Sequence, residues 1–153
     1  MALAIIMFWY AGIGALSAAG ATYLSRRFLP EKHEATLYGL FLIAIAAFYL
    51  ACTAYFGAAA AWRFEALAAL AFAVMGCIGT RVPGVLMAGY ALHGGWDLLH
   101  ELQAHLQADV FGGAEATKIP LAYCAFCATF DWLVVVYFVY RRRRWVATWK
   151  ARA

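Results

Sequence analysis

The chain has 153 residues, 67% of them hydrophobic and 13% charged, with a formal net charge of +4. A soluble domain is usually about half apolar, so this composition argues against a soluble fold and for a surface that mostly faces lipid. Nor does the positive charge indicate nucleic acid: six of the twelve Lys and Arg lie after residue 140, a distribution that marks the cytoplasmic side of a membrane protein.

Five apolar segments of roughly membrane-spanning length are legible, rich in Ala and Leu and without the two-residue alternation of strands. The expected fold is therefore all-α, a five-span transmembrane bundle forming one domain over residues 1–153. The first span covers about 2–24. No basic stretch precedes it, so it is expected as a retained helix rather than a signal peptide. Gly12, Gly14, Ala18, Ala19 and Gly20 offer small-residue surfaces for close packing. A polar loop follows from Ser25 to Glu34; Pro30 disfavours a continuous helix there, and His33 is expected to be solvated.

The second span runs about 36–56. Its aromatics, from Tyr38 to Phe56, are expected as packing groups and interfacial anchors. The third, about 65–80, is the shortest and fits a bilayer only with local thinning or snorkelling by Arg63. Arg81-Val82-Pro83-Gly84 turns the chain into the fourth span, about 84–106. A polar loop from Gln107 to Lys118 leads to the fifth, about 119–140, with Pro120 expected in its first turn. The segment 141–153 is expected as a basic tail in which Arg141–Arg144, Trp145, Trp149, Lys150 and Arg152 anchor on an anionic leaflet.

Counting Lys and Arg orients the bundle. The side holding the first loop, the third loop and the C-terminus carries ten of the twelve. This predicts an outside N-terminus and a cytoplasmic C-terminus; the expected location is an integral membrane position.

The fourth span is exceptional. His93, Asp97, His100, Glu101 and His105 lie within thirteen residues of an otherwise apolar segment. At about 100° per residue, His93, Asp97 and His100 share a narrow arc. Tyr90 and Trp96 flank that arc and are expected chiefly as packing residues. Ionisable groups at membrane depth are costly and point to function. Matching Leu106 with Ile119 across the last loop brings Asp131 level with His93. Cys127 then lies near Asp97, and Cys124 near His100 and Glu101. Cys124, Cys127 and Asp131 also share a helix face. Cys52 and Cys77 are expected as small buried hydrophobes.

Three readings of this cluster follow: a metal or catalytic site, a proton or ion path, and a buried network that only fixes packing. His93, Asp97 and His100 are the expected metal ligands. His93 and His100 are about 10 Å apart along the axis, so the His–Asp pairs are better chelates, and Gly94-Gly95 offers a place for distortion. Zinc, copper and iron all suit such ligands. If the chemistry is hydrolytic, a zinc-activated water is the nucleophile and Glu101 or Asp131 the general base. Cys124-Ala-Phe-Cys127 has metal or redox CxxC spacing but lacks the strand–turn–helix context of that motif. A haem held by two histidines needs ligands on opposed helices, whereas these histidines lie on one.

The run from Leu92 to Leu102, with Ile119-Pro120 and Cys124-Ala-Phe-Cys127, resembles an uncharacterised family of small bacterial and archaeal integral-membrane proteins, a domain of unknown function. The resemblance covers roughly 85–140. It implies a multi-span helical fold in a bacterial inner membrane and singles out His93, Trp96, Asp97 and His100, but it supplies no reaction. The favoured expectation is an intramembrane metal-binding protein, with a metal-dependent enzyme on a lipid-like small molecule as its catalytic form. The alternatives are a proton- or ion-coupled transporter and a small subunit of a membrane complex. The bilayer is the expected partner, and a second copy of the chain could pack on the lateral surfaces.

Overall fold

The structure is a computed structural model and describes residues 1–106 and 108–150. It is all-helical: α1 (Ala2–Phe28), α2 (Glu31–Tyr55), α3 (Trp62–Gly79), α4 (Pro83–Leu106) and α5 (Tyr123–Lys150), with a 3-10 turn at Ala59–Ala61. No strand occurs among the described residues. The helices carrying α1, α2, α3 and α5 are long and apolar enough to cross a membrane. With 24 residues, α4 is about 36 Å long and so also sufficient in length. It is less apolar because its His, Asp and Glu side chains occupy one face. That face is turned inward.

Burial runs opposite to a soluble protein. Five of the eight acidic residues, Glu34, Glu65, Asp97, Glu101 and Asp131, are buried, whereas Phe8, Leu16, Leu67, Leu70, Leu92 and Val136 are exposed. Such groups are almost never buried in soluble folds unless paired, and large exposed apolar surface is what lipid contact requires.

The longest helix, α5, packs along α1 on one side and α4 on the other, while α2 pairs with α3 and α3 reaches α4. Small residues permit two close crossings. A Cβ on Gly14 would lie 2.3 Å from the Phe126 carbonyl oxygen, so α1 meets α5 there backbone to backbone. Gly39 of α2 and Gly76 of α3 face one another; a Cβ on either would lie 2.7 Å from the other's carbonyl oxygen. Ala18 is buried as expected, but Gly12 and Gly20 have open space beside them. Between the pairs sits a core of Tyr38, Leu42, Tyr90, Val134, Phe138 and Trp145.

Several boundaries differ from the sequence expectation. Leu29 and Pro30 alone separate α1 from α2, so His33 and Glu34 belong to the first turn of α2 rather than to a loop; His33 is exposed, as expected. Pro30, extended at ψ 147°, caps a helix it could not continue from the preceding turn. At the other end, α5 starts at Tyr123 and not at 119. Ala122 takes a left-handed φ of 59°, which a right-handed helix cannot absorb, and Pro120 lies outside the helix. Cys77 is exposed rather than buried; Cys52 is buried.

The largest correction concerns the basic tail, because α5 continues through it. Arg141 turns inward to Glu34, whose Oε2 accepts from Arg141 Nη2 at 2.7 Å and Nε at 3.1 Å, and from Trp145 Nε1 at 2.9 Å. Oε1 accepts from Ser25 Oγ at 3.2 Å and from the Tyr137 hydroxyl. Glu34 thereby ties α1, α2 and α5 at one end of the bundle. Arg142 and Arg143 are exposed; Arg152 lies outside the described residues. Leaving a buried charge unpaired costs about 3–5 kcal/mol. Arg141→Ala is therefore expected to destabilise the fold by about that amount in detergent unfolding, with Arg142→Ala changing it by less than about 0.5 kcal/mol.

Candidate metal centre

Helix periodicity places His93, Asp97 and His100 along one side of α4, and the packing of α5 brings Asp131 against it. The inferred register holds: His93 Nδ1 lies 2.8 Å from Asp131 Oδ2 and 3.2 Å from Asp97 Oδ2. All three side chains are 0% exposed. Their donor atoms lie within 4.8 Å of one another, so the group could hold a metal ion. Tyr49, from α2, donates its hydroxyl to Asp97 Oδ1 at 2.5 Å and has the Cys124 sulfur at 3.5 Å. The His93 ring packs edge-on to Phe72, with centroids 4.9 Å apart.

The group is under-satisfied. Among the described residues, three buried atoms of the group have no hydrogen-bond partner: His93 Nε2, Asp97 Oδ2 (although it faces His93) and Asp131 Oδ1. Native cores seldom leave such atoms. Two ionised carboxylates around one imidazole also carry net negative charge in either state of the ring, and a divalent cation would neutralise the group with a neutral ring. Ligand atoms around a tetrahedral ion with bonds of about 2.1 Å stand about 3.4 Å apart; the His93–Asp97 separation of 3.2 Å is near that spacing, whereas the 2.8 Å His93–Asp131 contact is a hydrogen bond that an entering ion would open.

His100 goes elsewhere. Its Nδ1 faces the Trp96 carbonyl at 3.1 Å and its Nε2 faces Glu65 Oε1 at 3.0 Å. Both nitrogens are thus turned to other oxygens, and His100 is not part of the group formed by His93, Asp97 and Asp131. The two-turn spacing from His93 explains the separation. Glu65 Oε1 also accepts from the Thr117 backbone N–H at 2.9 Å, pinning the loop between α4 and α5. Phe111 of that loop stacks near His100 and Trp96, at 4.9 and 5.3 Å between centroids. The loop thus covers one end of the cluster, and Trp96 is a packing residue as expected.

Glu101, one turn beyond Asp97, pairs with His105 at 3.0 Å and stays outside the three-residue group. Tyr90 donates to the Tyr38 carbonyl at 2.8 Å and not into the cluster. Both Cys124 and Cys127 are buried free thiols, and neither joins the group of donor atoms among the described residues. Helix α4 is unbroken through Gly94-Gly95. Gly94 instead admits Trp132, whose Nε1 would lie 2.7 Å from a Cβ there. Sequence reasoning missed Tyr49 and Glu65. Tyr49 looked like one of many span aromatics; Glu65, at the edge of a short span, had a usable signal as a carboxylate beside an apolar run.

The chain belongs to a family of unknown function, DUF6010, which matches residues 10–144. No curated protein and no solved structure matches it.

If Glu65 holds the covering loop, Glu65→Leu should speed amide hydrogen exchange at Thr117 at least tenfold while leaving mid-α1 amides unchanged. Unaltered exchange at Thr117 would refute that role.

Proposed function

We propose that the protein is an integral-membrane metal protein whose His93–Asp97–Asp131 centre binds one divalent transition ion and acts on a lipid-soluble substrate. The observation that carries this reading is the buried meeting of two carboxylates on one imidazole nitrogen, with orphaned polar atoms beside it. Three protein ligands leave a further coordination position for a substrate oxygen or water, the pattern of catalytic rather than structural sites. Bound there, the ion would supply Lewis-acid polarisation. Zinc, copper and iron all suit the donor set.

In this reading Asp131 is a ligand, and Glu101 remains the carboxylate outside the centre that could move a proton. Tyr49 orients Asp97 through its hydroxyl, as outer-shell partners of metal ligands do. His100 and Glu65 support the fold around the centre. We take α4 as a fifth span: its polar face is covered by α3 and α5, and its length suffices. The Lys/Arg distribution supports a cytoplasmic C-terminus.

A proton path is the rival reading. The chain Asp131–His93–Asp97–Tyr49, linked at 2.8, 3.2 and 2.5 Å, consists entirely of groups that can carry protons. A relay predicts pH-driven flux in proteoliposomes that Asp97→Asn and Asp131→Asn abolish.

Elemental analysis separates the two. Purified protein, after incubation with zinc, copper or iron and removal of excess, is expected to hold one ion per chain. His93→Ala, Asp97→Ala and Asp131→Asn should each lose it; His100→Gln should keep it. Tyr49→Phe is expected to weaken binding by about 10–100-fold. No ion above background in the wild type would falsify the metal reading.

A further inference from the structure

Helices α1 and α4 both pack on α5, yet among the described residues they do not meet each other. The gap between them is a groove of about 440 Å³, within the roughly 300–1,000 Å³ range of small-molecule sites. Its walls include Phe8 and Ala11 of α1, Leu98 of α4, and Ala128 and Trp132 of α5, all apolar or nearly so. Phe8, Leu98 and Trp132 are exposed, so the groove opens sideways, toward the surface that faces acyl chains.

One wall residue breaks the pattern. Glu101 lines the groove and is 4% exposed; among the described residues its neighbours are His105, 3.0 Å from Oε1, and the Cys124 thiol, and neither carboxylate oxygen has a hydrogen bond of good geometry. A carboxylate buried in an apolar groove needs strong donors, and the neighbouring thiol is a weak one. Cys124, beside it on the same wall, lies 3.5 Å from the Tyr49 hydroxyl that holds Asp97. The groove therefore ends against the outer shell of the candidate centre.

From this juxtaposition we infer that the α1–α4–α5 groove binds a single-chain amphiphile entering from the bilayer, whose hydrogen-bond-donating head, an amine or an alcohol, sits on Glu101. Apolar walls take the chain, and the carboxylate takes the N–H or O–H and rejects an anionic head. This deepens the metal reading and rests on it for the chemistry that follows, because it supplies the substrate class; binding in the groove does not itself require the ion.

Three 16-carbon probes with a mid-chain diazirine test it: an amine, an alcohol and a carboxylic acid, each photolysed with the full-length protein in detergent and mapped by peptide mass spectrometry. The amine and alcohol are expected to label segments 4–11 and 125–132 at least fivefold more than the acid. Excess unlabelled hexadecylamine or hexadecanol should compete; comparison of the two identifies the preferred head. Glu101→Gln should reduce the preference over the acid to less than twofold, and Ala11→Leu, which narrows the groove, should lower labelling by all three. Equal labelling by the three heads in the wild type, or labelling spread evenly over the other lipid-facing helices, would overturn the proposal. Metal content of the same samples keeps the two readings apart. Bound metal without head-selective labelling sinks the groove alone; selective labelling without bound metal sinks the centre alone.

Discussion

An ionised carboxylate taken out of water costs several kcal/mol unless opposite charge and hydrogen bonds meet it, and this chain buries five acidic side chains within a helical bundle of 153 residues. Several of the contacts between helices can be read as answers to that constraint. Glu34 draws Ser25, Tyr137, Arg141 and Trp145 to itself and so joins α1, α2 and α5. Asp131 and Asp97 close on His93 and join α5 to α4, while Tyr49 adds α2. Glu65 takes His100 and the Thr117 N–H, linking α3, α4 and the last loop. Apolar packing alone discriminates poorly among helix arrangements in lipid, where there is no hydrophobic drive between spans. These polar meetings set which faces touch.

The three clusters are not equally well answered. Glu34 has donors on both oxygens, including two guanidinium nitrogens of Arg141 on Oε2, charge-assisted bonds that are stronger than neutral ones. Its chemistry is complete, and it reads as a fastening. The group around His93 has more carboxylate than cation and keeps buried polar atoms without a protein partner among the described residues. That difference, rather than burial as such, is why the functional reading settles on His93, Asp97 and Asp131. Glu101 presents the same shortage at the edge of a groove.

Small residues then decide how close the elements come. Gly39 and Gly76 let α2 and α3 touch through their backbones, and Gly14 does the same for α1 and α5. With α1 and α4 held on opposite flanks of α5, a lateral gap results. It lies beside the polar face of α4 because that face is the one turned toward α5.

By itself the sequence determined the helical class of the fold and which helix faces carry the buried ionisable groups. Long Ala- and Leu-rich runs without strand alternation can bury their backbone polar groups only as helices, and the 3.6-residue period put His93 and Asp97 on one face. Even the level of Asp131 could be read, since two helices joined by one loop run antiparallel at about 1.5 Å per residue. Tertiary structure alone decided the partners. His100 shares the arc with His93, but a rise of two turns carries it to Glu65 of another helix, a pairing that no local period encodes. Arg141 looks like one more member of a basic run, and only the approach of α2 sends it inward to Glu34. The start of α5 likewise depended on a left-handed Ala122, which no propensity favours and which the enclosing loop imposes. Local pattern fixes which face of a helix is polar; which side chain on another helix answers it depends on packing between segments far apart in the chain.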